Sequence, residues 1–180
     1  LIAEECLKFI RKNKDESFFC YVPFTIPHPS MHAPEERVAP WRKKFPEYEK
    51  EIGRYRGPQD KNPVAAFAAM MPLMDEDVGR ILDLLEELGI AEDTLVIFTA
   101  DNGTSPKCDF PSLVKGGVDL RNGWRGHKAD IWEGGHRVPF LVRWPGVVDP
   151  GSRCGETIAL TDVMATVAAA WPGNPTDPAR

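Results

Sequence analysis

Leu95-Val96-Ile97-Phe98-Thr99-Ala100-Asp101-Asn102-Gly103 is the stretch on which the fold turns. Six apolar or β-branched residues in a row suit a strand buried on both faces, and Asp-Asn-Gly is a stop. Upstream, Phe67, Met70, Met71, Met74, Val78, Ile81, Leu82, Leu85 and Leu88 recur at threes and fours, which predicts a long helix ending at Gly89. Pro72 should kink that helix or mark its first turn. The same logic predicts a surface helix over 2–12, a strand over 18–22 buried on both faces, a strand over 138–144 and a helix begun by Thr161 and running to Trp171. Residues 35–62 read as an exposed, partly helical excursion and 103–137 as a long glycine-rich loop. Strands separated by helices give an α/β fold with a mainly parallel, mixed sheet sandwiched by helices. In such sheets the reactive groups collect beyond the carboxyl ends of the strands.

Composition narrows the function. The chain has 180 residues, 22 basic against 27 acidic side chains and a formal net charge of -5. A nucleic-acid backbone calls for a basic face, so that class is disfavoured. No run approaches the roughly 18 apolar residues of a membrane span. Cys6, Cys20, Cys108 and Cys154 lack the spacing of a zinc site. Cys6 and Cys20 sit in apolar runs and read as buried, inert thiols, and the redox compartment stays open.

Three places carry residues suited to chemistry. Asp101-Asn102 is either a turn or a pair of hard oxygen ligands for Ca²⁺ or Mg²⁺, which would need more ligands from elsewhere. His28 lies between Pro27 and Pro29 on a stiff backbone; it is either a positioned acid or a solvated loop histidine. Lys128 is flanked by glycines that let the backbone approach a ligand; it is either a point charge for a tetrahedral anion or a surface lysine. Glu133 and Arg137, four apart, read as a structural ion pair.

In order along the chain these become Pro-His-Pro, the long helix with Met-Asp-Glu-Asp-Val-Gly-Arg-Ile, Val-Ile-Phe-Thr-Ala-Asp-Asn-Gly, Lys-x3-Trp-Glu-Gly-Gly-x-Arg-Val-Pro and Trp-Pro-Gly. That series closely resembles the type I sulfatases, the arylsulfatase family of the alkaline-phosphatase-like superfamily, over most of residues 15–170. The resemblance implies hydrolysis of sulfate monoesters with a bound divalent cation, Ca²⁺ or alternatively Mg²⁺. It implies that Asp101 and Asn102 are the second pair of metal ligands, that Lys128 holds a sulfate oxygen, and that His28 contacts the ester near the leaving oxygen. His32 matches a frequent variant and receives no step. The substrate implied is a sulfated small molecule or carbohydrate, and the compartment periplasmic, secreted or lysosomal.

The sequence also departs from the family. Its nucleophile is a formylglycine made within Cys/Ser-x-Pro-x-Arg, and no cysteine or serine here opens that motif. The first acidic ligand pair and the small C-terminal domain are not found either. The expectation is therefore that residues 1–180 form the middle and later part of a catalytic domain, inactive alone, with specificity in loops 35–62 and 104–124. Two other readings stand beside it: a phosphate or phosphonate monoester hydrolase of the same superfamily, and a non-catalytic domain that kept the fold.

Overall fold

The computed structural model describes residues 1–50, 52–53, 59–107 and 110–170. The chain divides into two compact units, Leu1–Val148 and Asp149–Arg180.

The first unit is organised on its longest helix. Helix α1 (Ile2–Asn13) is followed by α2 (Glu35–Lys44), a short hairpin of β1 (Ile52–Gly53) and β2 (Asp60–Lys61), and then α3 (Pro63–Glu87). Asn62 starts α3 from a left-handed backbone (φ 50°): its side-chain oxygen accepts the Ala65 N–H at 3.0 Å, and Pro63 opens the first turn. The true start is therefore four residues earlier than the apolar stripe indicates, and Pro72 lies inside the helix rather than at its first turn. α1 lays Cys6 and Ile10 on Leu84, Leu85 and Ala91. Burial of each large aliphatic side chain there is worth about 1.5–3 kcal/mol. Two exposed ion pairs flank this seam, Arg11–Glu87 at 2.9 Å and Arg80–Glu4 at 2.6 Å. They hold the Glu4 and Glu87 carboxyls below the ordinary carboxylate range, chiefly through the guanidinium hydrogen bonds. A second apolar cluster joins Met31, Tyr48, Val64, Met70 and Leu113, with Val118 and Leu120 packed against it.

Strand β3 (Val96–Thr99) is the expected one, and it pairs antiparallel with β4 (Phe140–Arg143), from Val96 opposite Arg143 to Thr99 opposite Phe140. Between them lie two short helices, α4 (Phe110–Lys115) and α5 (Glu133–His136). The architecture is α/β. The described residues form two separate two-stranded ladders, both antiparallel, and no parallel pair is found among them.

The stretch 18–22 departs from expectation. It is extended but pairs in no ladder among the described residues, and it is not buried on both faces. Phe18, Cys20 and Val22 pack toward the α1–α3 cluster, whereas Phe19 and Tyr21 are 68% and 78% exposed. Period two, not continuous burial, describes it. Similarly Leu141 and Val142 of β4 are exposed.

In the second unit, Ser152 Oγ donates to Asp149 O at 2.7 Å, and Asp162 Oδ2 accepts the Ala159 N–H at 2.8 Å ahead of α6 (Asp162–Ala170). No residue of α6 is buried, and Met164 is 78% exposed. Trp171, the expected end of this helix, and Cys108 fall outside the described residues.

Candidate functional site

The loop leaving β3 and the loop carrying Lys128 are locked together through their backbones. The Gly103 N–H donates to Gly135 O at 2.9 Å and the Lys128 N–H to Thr104 O at 2.8 Å. Gly134 N–H reaches Arg125 O at 2.7 Å, which folds the Lys128 loop onto itself. Thr99 Oγ1 donates to Pro139 O at 2.9 Å and extends the tie to the end of the β3–β4 ladder.

The glycines explain why this is possible. A Cβ on Gly103 would stand 1.9 Å from Gly134 O; on Gly134, 2.3 Å from Gly126 O; on Gly135, 2.2 Å from Asp130 O. These are backbone atoms that have no rotamer by which to move aside. The glycines around Lys128 thus serve backbone against backbone, where the sequence suggested backbone against ligand. Gly126 has φ 87° and also needs its missing side chain, since a Cβ there would meet Trp132 Cβ at 2.8 Å.

Lys128 is presented by a tight local turn. Asp130 Oδ2 accepts the His127 N–H at 3.1 Å, and Asp130 N–H donates to His127 O at 2.9 Å. His127 Nδ1 lies 2.8 Å from Lys128 O; a carbonyl only accepts, so that nitrogen carries the proton. Ala129 completes the turn at φ 76°, a left-handed conformation that costs an alanine about 1–2 kcal/mol. Lys128, the residue before it, is half-buried and its side chain pairs with no described carboxylate.

Asp101 and Asn102 sit directly after the carboxyl end of β3, as expected. Asn102 Nδ2 donates to Gly103 O at 2.9 Å, which orients the amide and leaves its oxygen as an acceptor. Asp101 is exposed and takes part in no ion pair among the described residues. A carboxylate and an amide oxygen fit a hard cation in kind. They fall short in number: among the described residues no three His, Cys, Asp or Glu side chains gather as a metal cluster.

His28 stands in a separate loop. Its N–H donates to Thr25 O at 3.1 Å, its Nδ1 bonds Pro29 O, and the peptide bonds Ile26–Pro27 and Pro29–Ser30 are cis. Met31, three residues on, is buried in the cluster against which Leu120 packs, and Leu120 O accepts Thr104 Oγ1 at 2.9 Å. The His28 loop, through Met31, and the segment that bonds Thr104, through Leu120, thus meet the same apolar cluster. His32 is exposed. Glu133 and Arg137 form the expected ion pair at 2.9 Å, and Arg137 also stacks on Trp124 at 4.3 Å. Thr104 and Asp130, which brace these loops, carry no motif of their own and were not singled out from sequence.

The fold class follows from comparison with solved structures. The structure of Ps i-CgsB in complex with k-i-k-neocarrahexaose superposes with a TM-score of 0.72 at 26% identity, covering 94% of this chain and 33% of that one. A structure of a glycosaminoglycan-locus protein from Bacteroides thetaiotaomicron, BT33336S-sulf, superposes with a TM-score of 0.61 at 25% identity over 82% of this chain and 27% of that one. The scaffold is alkaline-phosphatase-like. Within that class the sulfatase family model matches residues 1–173, and the chain belongs to the sulfatase family. It is 43% identical over 169 residues to the steryl-sulfatase of Homo sapiens, a match covering 93% of this chain and 25% of that protein. It is 32% identical over 168 residues to the arylsulfatase of Hemicentrotus pulcherrimus, with 93% and 25% covered. The chain spans about a quarter of the length of these curated relatives. No described helix is long and apolar enough to cross a membrane.

Proposed function

We propose that this chain supplies the anion-holding and part of the cation-holding side of a sulfate-monoester hydrolase, acting within a longer protein. The observation that carries the reading is the glycine lock, which fastens the Asp101-Asn102 turn to the Lys128 loop at the carboxyl end of β3. A sulfate ester is a tetrahedral anion, and charge moves to the leaving oxygen as the S–O bond breaks. Lys128 is suited to hold a non-bridging oxygen as a compact point charge, with no carboxylate paired to it among the described residues. His28, in its protonated state, is suited to donate a proton to the leaving oxygen. Asp101 and Asn102 would be two of the ligands of a divalent cation, Ca²⁺ or Mg²⁺, which supplies Lewis-acid charge when bound. The substrate is a sulfated small molecule or carbohydrate, and the compartment is periplasmic, secreted or lysosomal by family resemblance.

The test uses the whole protein on an aryl sulfate and, in parallel, the matching aryl phosphate. Asp101→Ala should weaken cation affinity and turnover together. Lys128→Ala should lower turnover by about 10²–10³, the range seen when one charge-stabilising donor is lost. Undiminished turnover in both variants, or preference for the phosphate, would remove the reading.

A further inference from the structure

We propose that Cys6 and Cys20 form a redox pair that closes to a disulfide across the seam between α1 and the extended segment 18–22. The inference is independent of the sulfatase reading. The two sulfur atoms lie 3.7 Å apart, and 14 positions of chain separate them. A bond requires about 2.0 Å, so closure takes an approach of about 1.7 Å from the 3.7 Å contact, within reach of modest side-chain rotation and a small shift of a segment that pairs in no ladder among the described residues. Both thiols face the cluster of Leu84, Leu85 and Ala91. No His, Asp or Glu joins them to make a metal cluster among the described residues, so the pair has no metal-ligand geometry to serve instead.

Their unequal exposure fixes the order of events. Cys20 is half-buried and Cys6 is buried. With a low-molecular-weight disulfide as oxidant, the Cys20 thiolate attacks one of its sulfurs, and one small thiol leaves. The Cys6 thiolate then attacks the Cys20 sulfur of that mixed disulfide, and the second small thiol leaves. Two protein thiols are oxidised, the small disulfide is reduced, and the two protons end on the released thiols. Burial, reinforced by the hydrogen bond with Cys20, pushes the Cys6 thiol up to about 12, so its thiolate is scarce and the second exchange is the slow one. Burial protects the closed bond from reduction in the same way. Closure would staple α1 to the residues that lead into Pro23 and the His28 loop.

The experiment equilibrates the folded whole protein in glutathione buffers of stepped oxidised-to-reduced ratio, then quenches in acid, alkylates free thiols and maps tryptic peptides without reduction. The expected result is a cross-link between the peptide ending at Lys8 and the peptide Asp15–Arg37, with the exposed Cys154 still alkylated. The thermal midpoint should rise by several degrees on oxidation, and neither Cys6→Ala nor Cys20→Ser should show the rise. Recovery of Cys20 as a glutathione adduct beside a free Cys6, or of both as free thiols at the most oxidising ratio, would overturn the proposal. So would the same rise in either variant.

Discussion

Gly103→Ala is the sharpest perturbation of the lock. The new Cβ would lie 1.9 Å from Gly134 O, 2.8 Å from Gly134 C and 3.1 Å from Gly135 C. A relaxed carbon–oxygen contact needs about 3.3 Å, so the two loops must part by roughly 1.4 Å, the difference from 1.9 Å. The bond from Gly103 N–H to Gly135 O, now 2.9 Å, would then be lost. Overpacking costs about 1–3 kcal/mol and the hydrogen bond about 1 kcal/mol, together about 2–4 kcal/mol. Gly79→Ala is the control, since nothing lies within 4 Å of its Cβ and it sits inside α3; it should be neutral or stabilising by up to about 1 kcal/mol. Both variants are read by thermal and urea melts of the whole protein, with aryl-sulfate turnover corrected for the folded fraction. A Gly103→Ala protein within about 0.5 kcal/mol of wild type, with unchanged corrected turnover, would refute the claim that backbone contact sets this site.

Asn62→Ala should cost about 2–4 kcal/mol in a urea melt, because it removes the cap to Ala65 and the amide bonds to Phe45 O at 2.9 Å and Glu49 Oε2 at 3.2 Å. Asn62→Gly should be the milder change, since glycine keeps φ 50° without strain, and the reverse order would refute the capping account. Glu4 and Glu87 have depressed carboxyl pKa values in the folded state, so their contribution is present above the ordinary value of 4.5 and fades as pH falls through the folded values. The urea midpoint should fall on acidification below 4.5, and an Arg11→Met, Arg80→Met double variant should fall less steeply; an equal slope would mean the pairs are idle. A polypeptide of these 180 residues should turn over no aryl sulfate with calcium present, because no cysteine or serine in it opens Cys/Ser-x-Pro-x-Arg. Turnover above that of a Lys128→Ala control would show that the nucleophile was misread.

Local periodicity made α1, α3 and β3 legible, because their burial follows from residues a few positions apart. The start of α3 was missed because a buried Asn cap and a proline at the first turn outweigh the apolar stripe that begins at Phe67. The stretch 18–22 misled because aromatic residues in succession look buried throughout, while only Phe18, Cys20 and Val22 find neighbours in the α1–α3 cluster. At the site, Asp101, Asn102 and Lys128 stood out as residue types, and the motif order linked them before any geometry did. What joins them, glycine backbones approaching one another, is a non-local property that no spacing rule encodes. His28 was readable as a stiff loop residue, and what anchors its loop is Met31, whose apolar role is invisible beside two histidines.

The β3–β4 ladder also encloses the candidate site. Thr99 and Pro139 are 40 residues apart, and everything between them, the Asp101-Asn102 turn and the Lys128 loop included, is enclosed by that pairing. Closing a loop of that length costs conformational entropy, which the ladder and the glycine contacts repay together. The Asp101-Asn102 turn and the Lys128 loop therefore form together, inside one pairing. Local opening of that one ladder would release both loops at once, and through Val96, which packs on the α1–α3 cluster, it would reach the helical seam as well.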